Sequence, residues 1–381
     1  MPSQEEMMML MQMQKQQEME KVLKQNEDNK AHDTELTEFA DGQGAETLNV
    51  IGENEVRAAY EEMLKYKREK STLEARLERN EMFWKMRHWE YMSEGDDNRI
   101  HPKSAWLVNT IMNKHADAMD NYPEPNILPR AFDDEETAKV LSEVIPVILE
   151  RNDFEETYDR LQWFKNKNGV GMYGVFWDND KEHGLGDIAI SHVSLANLYW
   201  KGGIKDIQES PNVFYVTMME NDDIKARWPE VDVTSGVDIP ITSGNIYNKD
   251  ENIDTTTQTP VIDWYYRRRI KGVDENGIPK TDTVLHYCKF VNNNVIYASE
   301  NDPKFAESGW YRHGMYPFVP DVLFPVENSI CGMGYIDLVA DDQMFTDKLR
   351  QAILENACWA ARPRHAVRDD AGLNEHDFMD L

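Results

Sequence analysis

The stretch that most constrains the fold runs from Pro317 to Arg364, PFVPDVLFPVENSICGMGYIDLVADDQMFTDKLRQAILENACWAARPR. Pro317, Pro320 and Pro325 each fix φ, lack a backbone donor and bias the preceding residue out of the helical region, so the first half must be extended. Gly332 and Gly334 supply a bend. Beyond it, Leu338, Phe345, Leu349, Ala352, Ile353 and Asn356 recur at three-to-four-residue spacing, which predicts a helix with one marked face. Pro363 closes it. No nucleophile–base pair, metal cluster or phosphate cradle accompanies the stretch, so it reads as scaffold.

Upstream, residues 1–52 are rich in Met, Gln and Glu and then in polar residues, without a clean apolar stripe. They are expected to form a mobile low-complexity arm. From Glu53 to about Met92, Val56, Tyr60, Met63, Leu64, Leu73, Leu77, Phe83, Trp84 and Met86 follow helical spacing with no Pro or Gly, which predicts one long helix. The aromatics near its end, Phe83, Trp84, Trp89 and Tyr91, suit core packing better than base stacking, which needs interleaved basic groups.

Pro102 is placed to start a second helix carrying Trp106, Leu107, Ile111, His115 and Ala118 and ending before YPEPNILP. His115 is expected as a buried or half-buried histidine. Residues 133–168 are expected as two helices, the first kinked or broken at Pro146 and the second capped by Asn168–Gly169.

The apolar period then changes to two. GVGMYGVFWD, GDIAISHV and NVFYVTMME predict strands, followed by a short helix capped by Asn221 and a polar linker over 231–259. PVIDWYYRRRIKG, TDTVLHYCKFV and NVIYASE predict further strands joined by DENG and by Asn292–Asn294. Alternation places Asp263, Tyr265, Arg267 and Arg269 on one face and Trp264, Tyr266, Arg268 and Ile270 on the other. Arg267, Arg268 and Arg269 form the densest basic cluster. A charged edge strand that resists aggregation is the plainer reading of them, and contact with DNA phosphate or with a motor protein the functional one.

The 381 residues include 70 acidic and 41 basic ones, a formal charge of −29. Tight sequence-independent DNA binding is dominated by Lys and Arg, so this balance argues against a protein that grips nucleic acid. An acidic wall instead repels duplex along its path; acidity also keeps an abundant protein soluble. Gly169–Gly171, Gly184–Gly186 and Gly332–Gly334 are GxG fragments that complete neither a dinucleotide fingerprint nor a P-loop, and no cofactor is expected. Asp178, Asp180 and His183 read as turn residues rather than as a metal site. Asp337, Asp341, Asp342 and Asp347 could imitate a two-metal site. In so acidic a chain the coincidence is expected, and they are placed on a solvent or channel face. Cys288, Cys331 and Cys358 have no CxxC spacing and indicate neither zinc nor disulfides. No apolar run approaches the ~20 residues that span a bilayer.

The Pro317–Arg364 stretch, together with NRIHPKSAWLVNTIMNKHADAMDNYPEPNILPR (Asn98–Arg130) and ERNDFEETYDRLQWFKNKNGVGMYGVFWDND (Glu150–Asp180), resembles the portal proteins of tailed bacteriophages over roughly 96–381. The resemblance implies an α+β fold, with long helices in wing and stem layers and a β-rich insertion. It divides the chain into the arm 1–52, a helical and β wing region 53–230, the linker 231–259, a β-rich clip-like region 260–325, and a stem or wing helix with a truncated end over 326–381. Portals continue past such a helix, so an N-terminal fragment is expected.

The implied function is a ring-shaped homo-oligomer, a dodecamer, at one capsid vertex through which double-stranded DNA is packaged and ejected. Its implied partners are the terminase large subunit, the major capsid and scaffold proteins, and the head-completion or tail proteins. No membrane is involved. The implied location is the virion, after assembly in the host bacterial cytoplasm, and no enzymatic activity is implied. Two rival readings remain: an acidic metal-dependent hydrolase or nuclease using Asp337, Asp341 or Asp342, and a virion scaffold protein that conducts no DNA.

Overall fold

The structure is a computed structural model that describes residues 51–92, 99–231, 257–273 and 279–361. Residues 1–50 of the expected arm, most of the polar linker, the DENG turn and the chain after Ala361 lie outside the described residues; Ile51, placed in the arm, is instead buried and donates to Asn301 Oδ1 at 2.7 Å.

Helix α1 (Glu53–Glu69) buries Val56, Ala59, Met63 and Tyr66, a three-to-four spacing that makes one apolar face. Its first turn is closed by Gly52 N donating to Glu55 Oε2 at 3.0 Å. Helix α2 (Ser71–Trp84) follows after Lys70 alone, and α3 (His88–Met92) after a turn at Lys85–Arg87. The single helix expected over 53–92 is therefore interrupted twice. At the second interruption Met86 takes a left-handed φ of 54°. The turn carries His88 and Trp89 inward, and the Trp89 indole donates to Pro102 O at 2.7 Å. Burying these rings outweighs continuing the helix.

Pro102 consequently lies outside the next helix, α4 (Trp106–Asp120), rather than starting it. Helix α5 (Glu135–Arg151) runs through Pro146 without breaking. Pro146 is exposed, so solvent can satisfy the carbonyl that loses its donor. The break expected there falls instead at Asp153, φ 46°, which precedes α6 (Phe154–Asn168). Gly169 ends α6 with φ 86°, its N–H donating to Lys165 O at 2.8 Å, the left-handed cap that the sequence predicts.

The strands are β1 (Val170–Asp178), β2 (Asp187–His192), β3 (Leu198–Trp200) and β4 (Asn212–Glu220). Helix α7 (Asn221–Arg227) is preceded by Glu220, so Asn221 is its first residue and not its cap. The Asn221 side chain is taken by Thr259, whose hydroxyl donates to it at 2.5 Å. Strands β5 (Gln258–Val273), β6 (Pro279–Val291), β7 (Asn294–Ala298) and β8 (Phe318–Val322) precede α8 (Tyr335–Ala361).

A three-stranded sheet has the order β2-β1-β8 and a five-stranded sheet the order β3-β4-β5-β6-β7. All pairings are antiparallel, and the class is α+β. Segments 53–230 and 260–325 contribute strands to both sheets. One buried cluster joins Leu77, Val170, Val213, Tyr265, Leu285, Phe318 and Ile330, and another packs α1 on Phe214, Ile262, Trp264 and Phe290. A third, smaller cluster joins Phe83, Leu107 and Ile111 to Ile336 and Ala340 of α8. The turn before α8 sits tightly against the end of α6. A Cβ on Gly334 would come 2.3 Å from Lys167 O, and one on Gly169 2.3 Å from the Met333 carbonyl carbon.

Candidate functional site

Three consecutive arginines of β5 meet three different environments. β5 is the central strand of its sheet rather than an edge, but β4 pairs with it only as far as Tyr266. From Arg267 onward the ladder is shared with β6 alone. The Arg267 guanidinium donates to Gln208 O, to Gln208 Oε1 at 2.9 Å and to Gly314 O at 3.0 Å, and lies 4.6 Å from the Tyr316 ring centre. Arg268 Nε sits 2.9 Å from Glu300 Oε1. Glu300 also accepts from Tyr266 OH at 2.7 Å, and burial raises its carboxyl pKa against the opposing effects of Tyr266 and Arg268. Arg269 is exposed. Of the three candidates Arg269 is the most exposed, while Arg267 and Arg268 are half-buried and engaged.

The four carboxylates singled out on α8 do not form one group. Asp337 accepts from Arg79 Nη2 at 2.7 Å, Asn80 Nδ2 at 3.2 Å and Gly334 N at 2.9 Å, which closes the start of the helix. Asp341 and Asp342 are exposed, as expected, but Asp347 is completely buried. Asp347 takes the Ser104 hydroxyl on one oxygen. On the other it takes Gln343 Nε2 at 2.8 Å and lies 2.9 Å from His88 Nε2. Gln343 also donates to Ser104 O at 2.7 Å. The placement of Asp337 and Asp347 on a solvent or channel face is thus corrected, because each offsets its desolvation with several donors.

His88 was not legible as a partner: Ser104 and Asp347 alone are separated by 243 residues. One signal was present. Ile336, Ala340, Gln343 and Asp347 are the buried row of α8, so two polar residues continue an apolar row and require partners. Burial pushes the His88 pKa down despite the nearby carboxylate, favouring the neutral ring. The Ser104 hydroxyl is buried, donates to Asp347 and accepts from Gln343 Nε2 at 2.7 Å, so the cluster ties three segments together.

The apolar face that the sequence marks on α8 exists but turns outward. Leu338, Phe345, Leu349 and Ile353 are exposed, Phe345 at 70%. Among the described residues of α8, none after Asp347 is buried. Helix α5 is similar: only Ala138 is buried, while Val140, Leu141, Val144 and Val147 are exposed.

His115 is buried on α4 as expected, stacked at 3.7 Å on Trp163 and with Nε2 2.7 Å from Asp159 Oδ1. Asp178 accepts from Asp180 N at 3.0 Å within a turn, and His183 follows at φ 57°. Among the described residues no group of three or more His, Cys, Asp or Glu is placed to hold a metal ion, and no helix is long and apolar enough to cross a membrane. Burial pushes the Cys331 thiol up to about 11 and the Cys288 thiol up to about 12, which keeps both protonated.

A cleft of about 500 Å³ lies between α2 and the loops at 200–204 and 328–331. Lys70, Arg76 and Arg79 line it but are already engaged. Lys70 Nζ donates to Leu198 O at 2.9 Å and to Leu195 O, and burial lowers its pKa to about 8. Arg76 Nη2 donates to Gly332 O at 3.0 Å.

No curated protein matches the chain. The sequence model of the phage P22-like portal protein family matches residues 96–308. That span takes in α4 to α7, both sheets apart from β8, and the three arginines of β5. Covering more than half of the 381 residues, the match makes this chain a member of the P22-like phage portal protein family.

Proposed function

We propose that the chain is one subunit of a ring-shaped conduit at a capsid vertex, through which double-stranded DNA passes during packaging and ejection. The observation that carries this reading is the outward apolar stripe of α8, Leu338, Phe345, Leu349 and Ile353. Covering such side chains contributes about 1.5–3 kcal/mol each, so the stripe favours assembly over a dispersed monomer. In a ring the same stripe recurs at every subunit, each binding a different face of its neighbour. The formal charge of −29 suits a wall along which duplex slides without adhering.

The role is mechanical rather than catalytic. Asp337 and Asp347, two of the four carboxylates from which a hydrolytic site could be built, are occupied by the chain's own donors. Arg269, the most exposed of the three arginines, is the group best placed to meet DNA phosphate or a packaging motor. Docking of the terminase large subunit, of capsid and scaffold proteins, and of head-completion proteins belongs to this reading.

Negative-stain electron microscopy of the purified protein tests it. Rings with an axial hole wide enough for duplex, about 20 Å, and near twelve-fold symmetry are expected. Assemblies without an open hole would favour the non-conducting scaffold protein, and monomers or closed dimers at micromolar concentration would count against a ring.

A further inference from the structure

A second cleft, of about 950 Å³, is walled by the end of α4, the last turns of α5 and the first turn of α6. Its floor is apolar and aromatic, with Met119, Tyr122, Leu149 and Phe154. Tyr122 packs edge-on against Tyr158 at 5.3 Å and against Phe154 at 6.3 Å, so the rings are held in place. The rim is acidic, and none of its lining residues is basic. Asp159 is engaged by His115 at 2.7 Å and Glu156 by Arg160 at 3.1 Å. Among the described residues, Glu124, Glu150, Asp153 and Glu155 meet no cation.

Part of this charge has a local explanation. Asp153, Glu155 and Glu156 sit at the N-terminus of α6, where the helix dipole favours carboxylates. Glu150 has none, since it lies in the last turn of α5, where the dipole opposes negative charge. The basic side chains beside it point elsewhere. Arg151 is 3.4 Å from both Glu182 and Asp187, and Lys181 Nζ donates to Asn152 Oδ1 at 2.6 Å.

Rigid aromatic rings under carboxylates describe a receptor for a cation on an aliphatic stem. The ring faces attract the charge, the carboxylates pair with it and the apolar floor covers the methylenes. We propose that this cleft docks a basic segment of a partner protein, inserting Arg or Lys side chains flanked by apolar residues. Nucleic acid is disfavoured because its phosphates would meet only carboxylates. The inference is separate from the ring reading.

Fluorescence anisotropy with a fluorescein-labelled peptide of alternating arginine and leucine tests it, against a counterpart with glutamate for arginine. The full chain is compared with a rim variant, Glu124→Gln/Glu150→Gln/Glu155→Gln, and with a control that removes the same charge elsewhere, Glu307→Gln/Asp341→Asn/Asp342→Asn. All six carboxylates are exposed, so both variants are expected to melt like the parent. The basic peptide should bind and the acidic one should not. The rim variant should weaken binding at least tenfold and the control less than twofold. Equal loss in both variants would show diffuse attraction to an acidic chain and overturn the proposal, as would no binding by the parent. Binding to dispersed chains but not to assembled ones would assign the cleft to a second copy of this chain, which also overturns it.

Discussion

Asp347 of α8 and His88 of α3 lie 2.9 Å apart with 0% and 1% of their side chains exposed, joining the last buried position described in α8 to the turn after α2. Removing the carboxylate takes away the acceptor of the Ser104 hydroxyl and one of the three acceptors of Gln343 Nε2, and leaves the buried imidazole without its charged neighbour. Asp347→Ala is expected to cost about 3 kcal/mol, read as a lower urea midpoint at unchanged m-value. Combining it with Ser104→Ala should cost less than the sum of the two single changes, because they share one network.

Acidification should destabilise the fold through its buried histidines. Burial, reinforced by a nearby arginine in each case, lowers His192 and His286 to about 4. Free histidine titrates near 6.5. Between those values the unfolded chain takes up a proton that the folded one refuses, so stability falls as pH falls from about 6.5 toward 4. The slope approaches ~1.4 kcal/mol per pH unit for His286, which is 1% exposed, and is smaller for the partly solvated His192. Melting curves at pH 7.5 and 5.0 check this, and His286→Gln should flatten the dependence.

The contact between α6 and the turn before α8 should tolerate no side chain. Gly169→Ala places a Cβ 2.3 Å from backbone at a residue with φ +86° and is expected to cost more than ~2 kcal/mol. Gly203→Ala is the comparison: its φ is +77° but its Cβ meets open space, so only the conformational cost of about 1 kcal/mol remains.

Phe345→Glu with Leu349→Glu should separate assembly from folding. Both positions are exposed, so the melting temperature of the dispersed chain should change little, within about 0.5 kcal/mol. Sedimentation velocity should show loss of the larger species.

The arginines of β5 should divide by environment. Arg267→Ala removes three hydrogen bonds and a ring contact and is expected to cost about 2 kcal/mol in urea unfolding. Arg269→Ala should leave stability within about 0.5 kcal/mol. If Arg269 meets DNA, its loss should lower the salt dependence of duplex association by about one unit.

Local chemistry made much of this fold legible. The shift from helical to alternating period near Gly169, the left-handed cap there, the Asn292 turn and the opposed faces of β5 all follow from short-range rules. The misplaced features share one cause, in that distant partners overrode local preference. Met86 turns because His88 is buried against Asp347, far along the chain, and Trp89 against His101 and Pro102 beyond the next loop. Asn221 gives up its capping role to Thr259, and Pro146 is tolerated because its side of α5 faces solvent. The spacing from Leu338 to Ile353 marked a face correctly and could not say whether the chain itself or another molecule covers it. The acidic cleft was likewise unreadable, because its wall comes from three helices whose carboxylates are unremarkable in a chain with 70 of them.

None of the last 14 described residues of α8, about 21 Å of helix, is buried, so among the described residues the cluster around Asp347 is the last buried anchor of this helix. Mechanically that anchor is a pivot, dry and therefore little screened by salt. A tilt of roughly 10° about it moves a point 21 Å along the helix by about 4 Å, so small repacking around His88, Ser104 and Gln343 is magnified at Ala361 to a displacement on the scale of a side chain.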